Sequence, residues 1–135
     1  GRSFYMGVDP IMEQNNAIYR EQSRLIQEFA EKSDCVIVGR SADYILREKH
    51  PFRLFVYAEM EHKMERCKKR APESEHFTDK ELKRHILDVD KRRARYYQFF
   101  TGQTWGDRLN YDLCINTSNY DIKELVHAIA HLVEA

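Results

Sequence analysis

The sequence predicts an α/β fold in three layers, with a parallel sheet covered by helices on both faces and with N-terminal strands missing. Segments with helical periodicity alternate with short apolar runs. The centres of those runs are continuously apolar, as is typical of strands buried on both faces. The chain has 135 residues, of which 42% are hydrophobic and 33% charged, so we expect one domain spanning residues 1–135.

The chain begins with a predicted long helix and a predicted strand. Asp9 is a favourable N-cap, and Pro10 is tolerated at the first helical position because it lacks an N–H group. Apolar residues at helical spacing continue this helix to about Lys32. Residues 35–39 form a short run rich in β-branched residues, which predicts a strand buried on both faces.

A short helix over residues 41–49 is expected next, and Pro51 ends it. Residues 52–58 predict the second strand. Residues 71–77 are polar and contain a proline, so they predict a loop. Between this strand and this loop lies a predicted helix, one side of which carries Met60, Met64 and Cys67.

The remaining predicted elements are two helices and a third strand. Thr78 and Glu81 form a capping box, which is a signature of a helix start. Residues 101–110 predict a loop, and residues 111–116 predict the third strand. Asp121 begins the last helix, whose apolar residues recur at helical spacing.

A sheet of three parallel strands is thin, because sheets usually carry about 4–6 strands and both edges must be protected. We therefore expect that N-terminal strands are missing from this sequence or that a partner supplies them. The exposed sheet surface would be covered either by another copy of the chain, in a homo-oligomer, or by solvent.

The composition disfavours several classes of partner. The 22 basic residues balance the 22 acidic residues, so no net charge draws the protein to nucleic acid or to a membrane. No apolar run is long enough to span a bilayer, and residues 1–10 contain no signal-peptide core. The three cysteines form no C-x-x-C pair and favour reduced thiols. We expect a cytoplasmic protein.

One candidate binding residue stands at the end of the first predicted strand. Ligands of parallel α/β sheets bind at the carboxyl ends of the strands. Gly39 and Arg40 occupy that position, where the glycine lets a ligand approach the backbone and the arginine offers a planar fork suited to phosphate. The alternative interpretation is that Arg40 is a solvated cation.

The second candidate is a group on the long helix that Thr78 begins. Asp90, Arg93 and Tyr97 share one face of this helix, at spacings of three and four. A carboxylate beside a guanidinium can bind a sugar or base edge together with a phosphate. One alternative is an ion pair on the helix surface. Another is RNA binding, which the neutral net charge disfavours.

The third candidate is a group of cations on the helix before the polar loop. Arg66, Lys69 and Arg70 are placed as in a mobile lid that brings cations over transferring phosphates. The alternative is a solvated helix face. His127 and His131 lie four residues apart without an evident third ligand, so we predict no metal site.

The common phosphate-binding motif is absent from these residues. None of the five glycines is followed by lysine, so no G-x-x-x-x-G-K-[ST] loop occurs. The sequence as it stands therefore encodes no cradle for a triphosphate.

Four segments are specific enough to compare with a known family. They are CVIVGRSADYIL at residues 35–46, DKRRARYY at 90–97, TGQTWGD at 101–107 and YDLCINTS at 111–118. Together they resemble the cytidylate kinase-like family, a branch of the P-loop nucleoside-monophosphate kinases. The likeness covers roughly residues 15–135.

The resemblance implies a P-loop kinase-like fold, with ATP and Mg²⁺ as cofactors and with CMP or dCMP as the phosphate acceptor. It implies that Arg40 grips the phosphate of the monophosphate, and that Asp90 and Arg93 bind its sugar, base or phosphate. More loosely, Arg66 and Arg70 correspond to catalytic arginines of the lid.

Two features depart from the family pattern. Cytidylate kinases have an aspartate directly after the strand-end arginine, whereas Ser41 and Ala42 intervene here before Asp43, a candidate substrate-binding residue. The P-loop portion of the family is not in this chain, so we expect no kinase turnover from these residues alone. The alternative function is a non-catalytic module that binds a nucleotide or a partner.

Overall fold

The computed structural model describes residues 10–70 and 76–134. It separates into two compact units, Gly1–Pro51 and Phe52–Ala135, which are described in turn. The single domain expected over residues 1–135 stays a prediction. No helix in the described parts of the chain has the length and apolar character needed to cross a membrane.

The first unit is built around one long helix. Helix α1 spans Pro10–Lys32, as the apolar spacing predicts, whereas the predicted cap at Asp9 lies outside the described residues. A short helix, α2 (Ala42–Ile45), is followed by a single 3₁₀ turn over Arg47–Lys49, so the helix predicted over residues 41–49 forms as two shorter pieces. The small core of the unit consists of Ile26, Ala42 and Leu46, with Ala30, Ile37 and Ile45 packed against it.

The strand predicted over residues 35–39 is wrong for the described structure. Residues 34–38 have no regular secondary structure, and the side chains of Val36 and Val38 are 94% and 88% exposed rather than buried. Only Ile37 of this run packs against the core. A β-strand needs hydrogen bonds from a neighbouring strand, and no described strand pairs with this segment. An apolar run alone therefore does not make a strand.

The second unit is a mixed α/β arrangement with a small parallel sheet. Strands β1 and β2 pair in parallel, so that Leu54 lies opposite Leu113 and Tyr57 opposite Asn116. Within the ranges that the structure describes, the sheet has two strands instead of the predicted three. The elements of this unit, in chain order, are β1 (Leu54–Tyr57), α3 (Met60–Arg70), α4 (Asp79–Thr101), β2 (Leu113–Asn116) and α5 (Ile122–Glu134).

Local capping explains where α4 begins and ends. The Thr78 hydroxyl accepts a hydrogen bond from the Glu81 backbone N–H at 3.2 Å, and the Glu81 carboxylate accepts one from the Thr78 N–H at 3.4 Å, which confirms the capping box. At the other end Gly102 has a φ of 72° and donates its N–H to the carbonyl of Gln98 at 2.8 Å. Glycine adopts this left-handed conformation without steric conflict, so it ends the helix cleanly. Of the predicted loop after α3, residues 71–75 lie outside the described residues.

A charged pair joins the two strands just before they begin. The Asp112 carboxylate accepts hydrogen bonds from the Arg53 backbone N–H at 2.7 Å and from its guanidinium at 3.4 Å. The backbone hydrogen bond, followed by the guanidinium, holds the pKa of the Asp112 carboxyl below its ordinary value of 3.8. The pair thus fastens the start of β1 to the start of β2.

We expect this pair to make stability depend on acidity. Because the pKa of Asp112 is lowered in the folded state, its contribution is complete above pH 3.8 and is lost as the pH falls through the lowered value. Both side chains are more than a third exposed, so solvent screening keeps that contribution below about 1 kcal/mol. Urea unfolding at pH 7 and at about pH 3 should show a smaller acid-induced loss for Asp112→Asn than for the unsubstituted chain. An identical loss in both proteins would contradict this assignment.

Candidate functional site

The candidate site begins at the carboxyl ends of the two strands, where ligands of parallel sheets bind. Thr117 and Ser118 follow β2 directly, and both are buried polar residues. The Thr117 N–H donates to the carbonyl of Tyr57 at 2.9 Å, which extends the strand pairing by one residue. The Ser118 hydroxyl accepts from the Glu59 N–H at 2.8 Å and donates to the Asn116 side chain at 2.6 Å. The polar groups at this edge are therefore satisfied and fixed.

Arg66 connects helix α3 to this edge of the sheet. Its guanidinium donates two hydrogen bonds to Thr117, one to Oγ1 at 2.7 Å and one to the backbone carbonyl at 2.6 Å. A forked donor matches two acceptors at fixed separation, and charge makes such bonds stronger than neutral ones. The side chain predicted to act in a lid thus holds the end of β2 in the structure.

Asp90 lies between two cations that come from different helices. Its Oδ2 accepts a hydrogen bond of 2.7 Å from Nζ of Lys63 on α3. Its Oδ1 is 3.8 Å from Nη1 of Arg93, one turn further along α4. The Arg93 side chain is 65% exposed, whereas that of Asp90 is only 25% exposed. The predicted juxtaposition of Asp90 and Arg93 on one helix face is confirmed, and Lys63 is added to it.

The cations predicted as one lid cluster point to different surroundings. Arg66 is half-buried against β2, as described above. Lys69 is exposed and pairs with Glu65 one turn earlier on α3, at 3.2 Å. Arg70 is exposed and is the last residue of α3. The structure therefore separates these side chains: Arg66 is turned toward β2, whereas Lys69 and Arg70 are exposed.

Tyr97 is a buried residue that helps to pack helix α4 and the loop after it. Its side chain is buried, and its hydroxyl donates a hydrogen bond to the Gln103 side chain at 2.8 Å. Its backbone carbonyl accepts a hydrogen bond from the Thr101 hydroxyl at 2.6 Å. Tyr97 therefore anchors the loop after α4 from a buried position.

In the first unit, the residues around Arg40 form an unusual turn. Gly39, Arg40 and Ser41 have φ angles of 72°, 57° and 56°, so two residues with a Cβ adopt the left-handed conformation in succession. The left-handed conformation costs a residue with a Cβ about 1–2 kcal/mol, because the Cβ crowds the backbone. Arg40 is exposed, whereas Ser41 is 5% exposed and its hydroxyl has no hydrogen-bond partner among the described residues. Asp43 lies in the first turn of α2.

Lys63 is the site residue that sequence reasoning missed. It lies three residues before Arg66, so both side chains share the face of α3 that turns toward β2 and α4. The sequence interpretation grouped Arg66 with Lys69 and Arg70 because they are close in the chain. Lys69 lies three residues after Arg66, so spacing alone does not distinguish it from Lys63, and only the bond to Asp90 identifies Lys63.

Neither ATP nor Mg²⁺ is assigned to particular side chains among the described residues. Among them, no three His, Cys, Asp or Glu side chains converge to hold a metal ion. No G-x-x-x-x-G-K-[ST] loop is present in the sequence for the phosphates of ATP. In the second unit, the exposed guanidinium of Arg93 offers charge complementarity to an anionic ligand.

These features define an α/β protein with a polar, cation-bearing cluster at the carboxyl ends of a parallel strand pair. The chain belongs to the cytidylate kinase-like family, which it matches over residues 2–119. Among solved structures it is similar to an uncharacterized protein from Eubacterium ventriosum ATCC 27560. The TM-score is 0.78 and the sequence identity 26%, over 96% of this chain and 68% of that chain. No curated protein matches the chain.

Proposed function

We propose that this chain supplies the monophosphate-binding part of a nucleoside-monophosphate kinase that transfers the γ-phosphoryl group of ATP to CMP or dCMP. The observation that carries the proposal is the Asp90–Arg93 pair on one face of α4, with Arg93 open to solvent, in a member of the cytidylate kinase-like family. A carboxylate oxygen accepts from a hydroxyl or an amine, and a guanidinium donates to phosphate.

The chemistry assigned to these residues is positioning and neutralisation of charge. Phosphoryl transfer needs its reactants held in line and its negative charge compensated, and the enzyme contributes little covalent chemistry. Arg40 would hold the acceptor phosphate, and Asp90 with Arg93 would hold the nucleotide. Asp43 is proposed to assist in substrate binding, and Arg70 to approach the transferring group. Mg²⁺ and ATP belong to the proposal without residues of this chain assigned to them.

Arg66 has a more restricted part in this proposal. Both of its terminal nitrogens donate to Thr117, so the guanidinium would have to leave that residue before it could reach a transferring phosphate. We therefore propose that Arg66 supports the site through the end of β2, and that Arg70 is the stronger candidate for a lid cation.

A non-catalytic binding module is the second candidate function. The observation in its favour is that these 135 residues contain no phosphate loop. Such a module would bind a nucleotide with the same side chains and would turn nothing over. The two candidates differ in turnover and agree on nucleotide binding.

Calorimetry with CMP tests the proposed function at Arg40. We expect Arg40→Ala to weaken CMP binding by about 10–100-fold, because a hydrogen bond to a charged group contributes about 1.5–3 kcal/mol. Arg40→Gly should lose the same affinity while unfolding at a higher temperature than Arg40→Ala, because glycine accepts the positive φ without strain. A coupled assay with ATP and CMP should show no turnover by this chain.

The pair of variants at Arg40 separates loss of the side chain from distortion of the turn. Equal CMP affinity in all three proteins would contradict the role of Arg40. Absence of CMP binding by the folded, unsubstituted chain would contradict the proposed function itself. Turnover by the unsubstituted chain would show that a phosphate loop is not needed.

A further inference from the structure

We infer that Lys63 is a positioning residue of the site, which holds Asp90 and thereby keeps Arg93 available to an anionic ligand. The identity of that ligand as a nucleoside monophosphate rests on the proposed function, whereas the relation among the three side chains rests on their geometry.

The two ion pairs of Asp90 differ in geometry and in surroundings. The bond from Lys63 Nζ to Oδ2 is 2.7 Å long, whereas Oδ1 lies 3.8 Å from Arg93 Nη1, beyond hydrogen-bond distance. The Lys63 and Asp90 side chains are mostly buried, and that of Arg93 is mostly exposed. Charges withdrawn from water are screened less than exposed ones, so Lys63 is the stronger partner of Asp90.

Arg93 would be the alternative partner of Asp90 if Lys63 were absent. Residues three apart on a helix are neighbours, so a small rotation of the Asp90 side chain brings its carboxylate onto the guanidinium. That pairing would occupy donors of Arg93 and cancel its charge. With Lys63 the three groups carry a net charge of +1, and without it their charges sum to zero. Lys63 therefore decides whether Arg93 can meet an anion.

This arrangement also indicates which part of a nucleotide each group would recognise. Because Lys63 already donates to Oδ2, the other oxygen of Asp90 is the more open one for a neutral donor such as a hydroxyl or an amine. Arg93 provides the positive charge for a phosphate. Removal of Lys63 should therefore weaken binding of the monophosphate more than binding of the nucleoside without its phosphate.

The test compares Lys63→Met with Lys63→Arg by calorimetry, with CMP and with cytidine as separate ligands. We expect Lys63→Met to weaken CMP binding about tenfold, which corresponds to about 1.4 kcal/mol, and to change cytidine binding much less. Lys63→Arg should restore most of the CMP affinity, because it restores the charge. In an Asp90→Asn background, Lys63→Met should have no further effect on CMP, because no carboxylate remains to capture Arg93.

The matched control is Lys68→Met. Lys68 also lies on α3 and forms a similar salt bridge to α4, with its Nζ 2.6 Å from Asp79, but the pair includes no arginine. We expect its loss to leave CMP binding unchanged. An equal loss of CMP affinity in Lys63→Met and Lys68→Met would reduce Lys63 to a general link between helices. Equal losses for CMP and cytidine would do the same.

A measurement without nucleotide separates this inference from the proposed function. Nitrogen-15 NMR follows the exchange of the Arg93 Nε–H proton with water. Lys63→Met should slow that exchange, because Asp90 then binds the guanidinium, and Asp90→Asn should reverse the effect. If CMP fails to bind but the exchange slows, the proposed ligand is wrong and the role of Lys63 stands. Unchanged exchange would overturn the inference about Lys63 whatever the ligand.

Discussion

Replacing Arg66 with alanine is expected to lower the free energy of unfolding by about 3 kcal/mol, since hydrogen bonds to charged groups contribute about 1.5–3 kcal/mol each and this side chain makes two. The substitution removes the nearer donor of the Thr117 carbonyl, which keeps the Tyr120 N–H at 3.5 Å, and it disconnects α3 from the end of β2. Urea unfolding followed by circular dichroism measures the loss. Arg66→Lys should recover part of it, because one ammonium group cannot reproduce the fork.

The control for Arg66 is Arg70→Ala, at the exposed end of the same helix. We expect that change to alter stability by less than about 0.5 kcal/mol, as is usual for surface positions. Unchanged stability in Arg66→Ala would show that the bonds to Thr117 contribute nothing, and would return Arg66 to the group of candidate catalytic cations. We thus expect removal of the Arg66 side chain to lower stability and removal of the Arg70 side chain to leave it nearly unchanged, although the sequence analysis grouped the two arginines.

Replacing Leu82 with alanine is expected to destabilise the second unit by about 3 kcal/mol, within the 2–5 kcal/mol typical of buried leucines. Leu82 is 2% exposed, on the side of α4 that carries the other buried residues of that helix, Ile86 and Tyr97. Loss of its side chain removes buried apolar contacts and leaves a cavity.

The comparison for Leu82 is Leu87→Ala. Leu87 lies on the same helix and is 41% exposed, so its truncation should destabilise the protein by less than about 1 kcal/mol. Urea midpoints of both variants, measured at one pH, provide the test. Similar losses for the two leucines would mean that α4 does not pack through the face that contains Leu82.

The sequence predicted those parts of the fold that local chemistry determines. The capping box at Thr78 and Glu81 involves residues three apart, and the end of α1 at Lys32 follows from apolar spacing, so both could be found without tertiary information. Strand formation at residues 35–39 depends on a pairing partner from elsewhere, and spacing within the run contains no information about that partner. The run therefore satisfied the pattern of a buried strand, whereas its Val36 and Val38 are exposed in the structure.

In the candidate site too, the sequence predicted the local contacts and not the tertiary ones. Asp90 and Arg93 were placed together because a helix fixes the relation between residues three apart. The bond from Lys63 to Asp90 joins residues 27 positions apart, and the bond from Arg66 to Thr117 joins residues 51 apart. Such contacts follow from how α3 packs and not from its own periodicity. A sequence can indicate which face of a helix is cationic, but the partner of each cation requires the tertiary structure.

The exposed segment around Val36 and Val38 also affects how the protein behaves in concentrated solution. A short β-branched run that pairs with none of the described strands is a template for intermolecular pairing, the process that begins amyloid-like aggregation. Mutual repulsion between molecules usually opposes such association, but the formal net charge of this chain is zero at pH 7. Near neutral pH the colloidal stability of the protein is therefore expected to be low, with this segment as the described stretch that most favours aggregation.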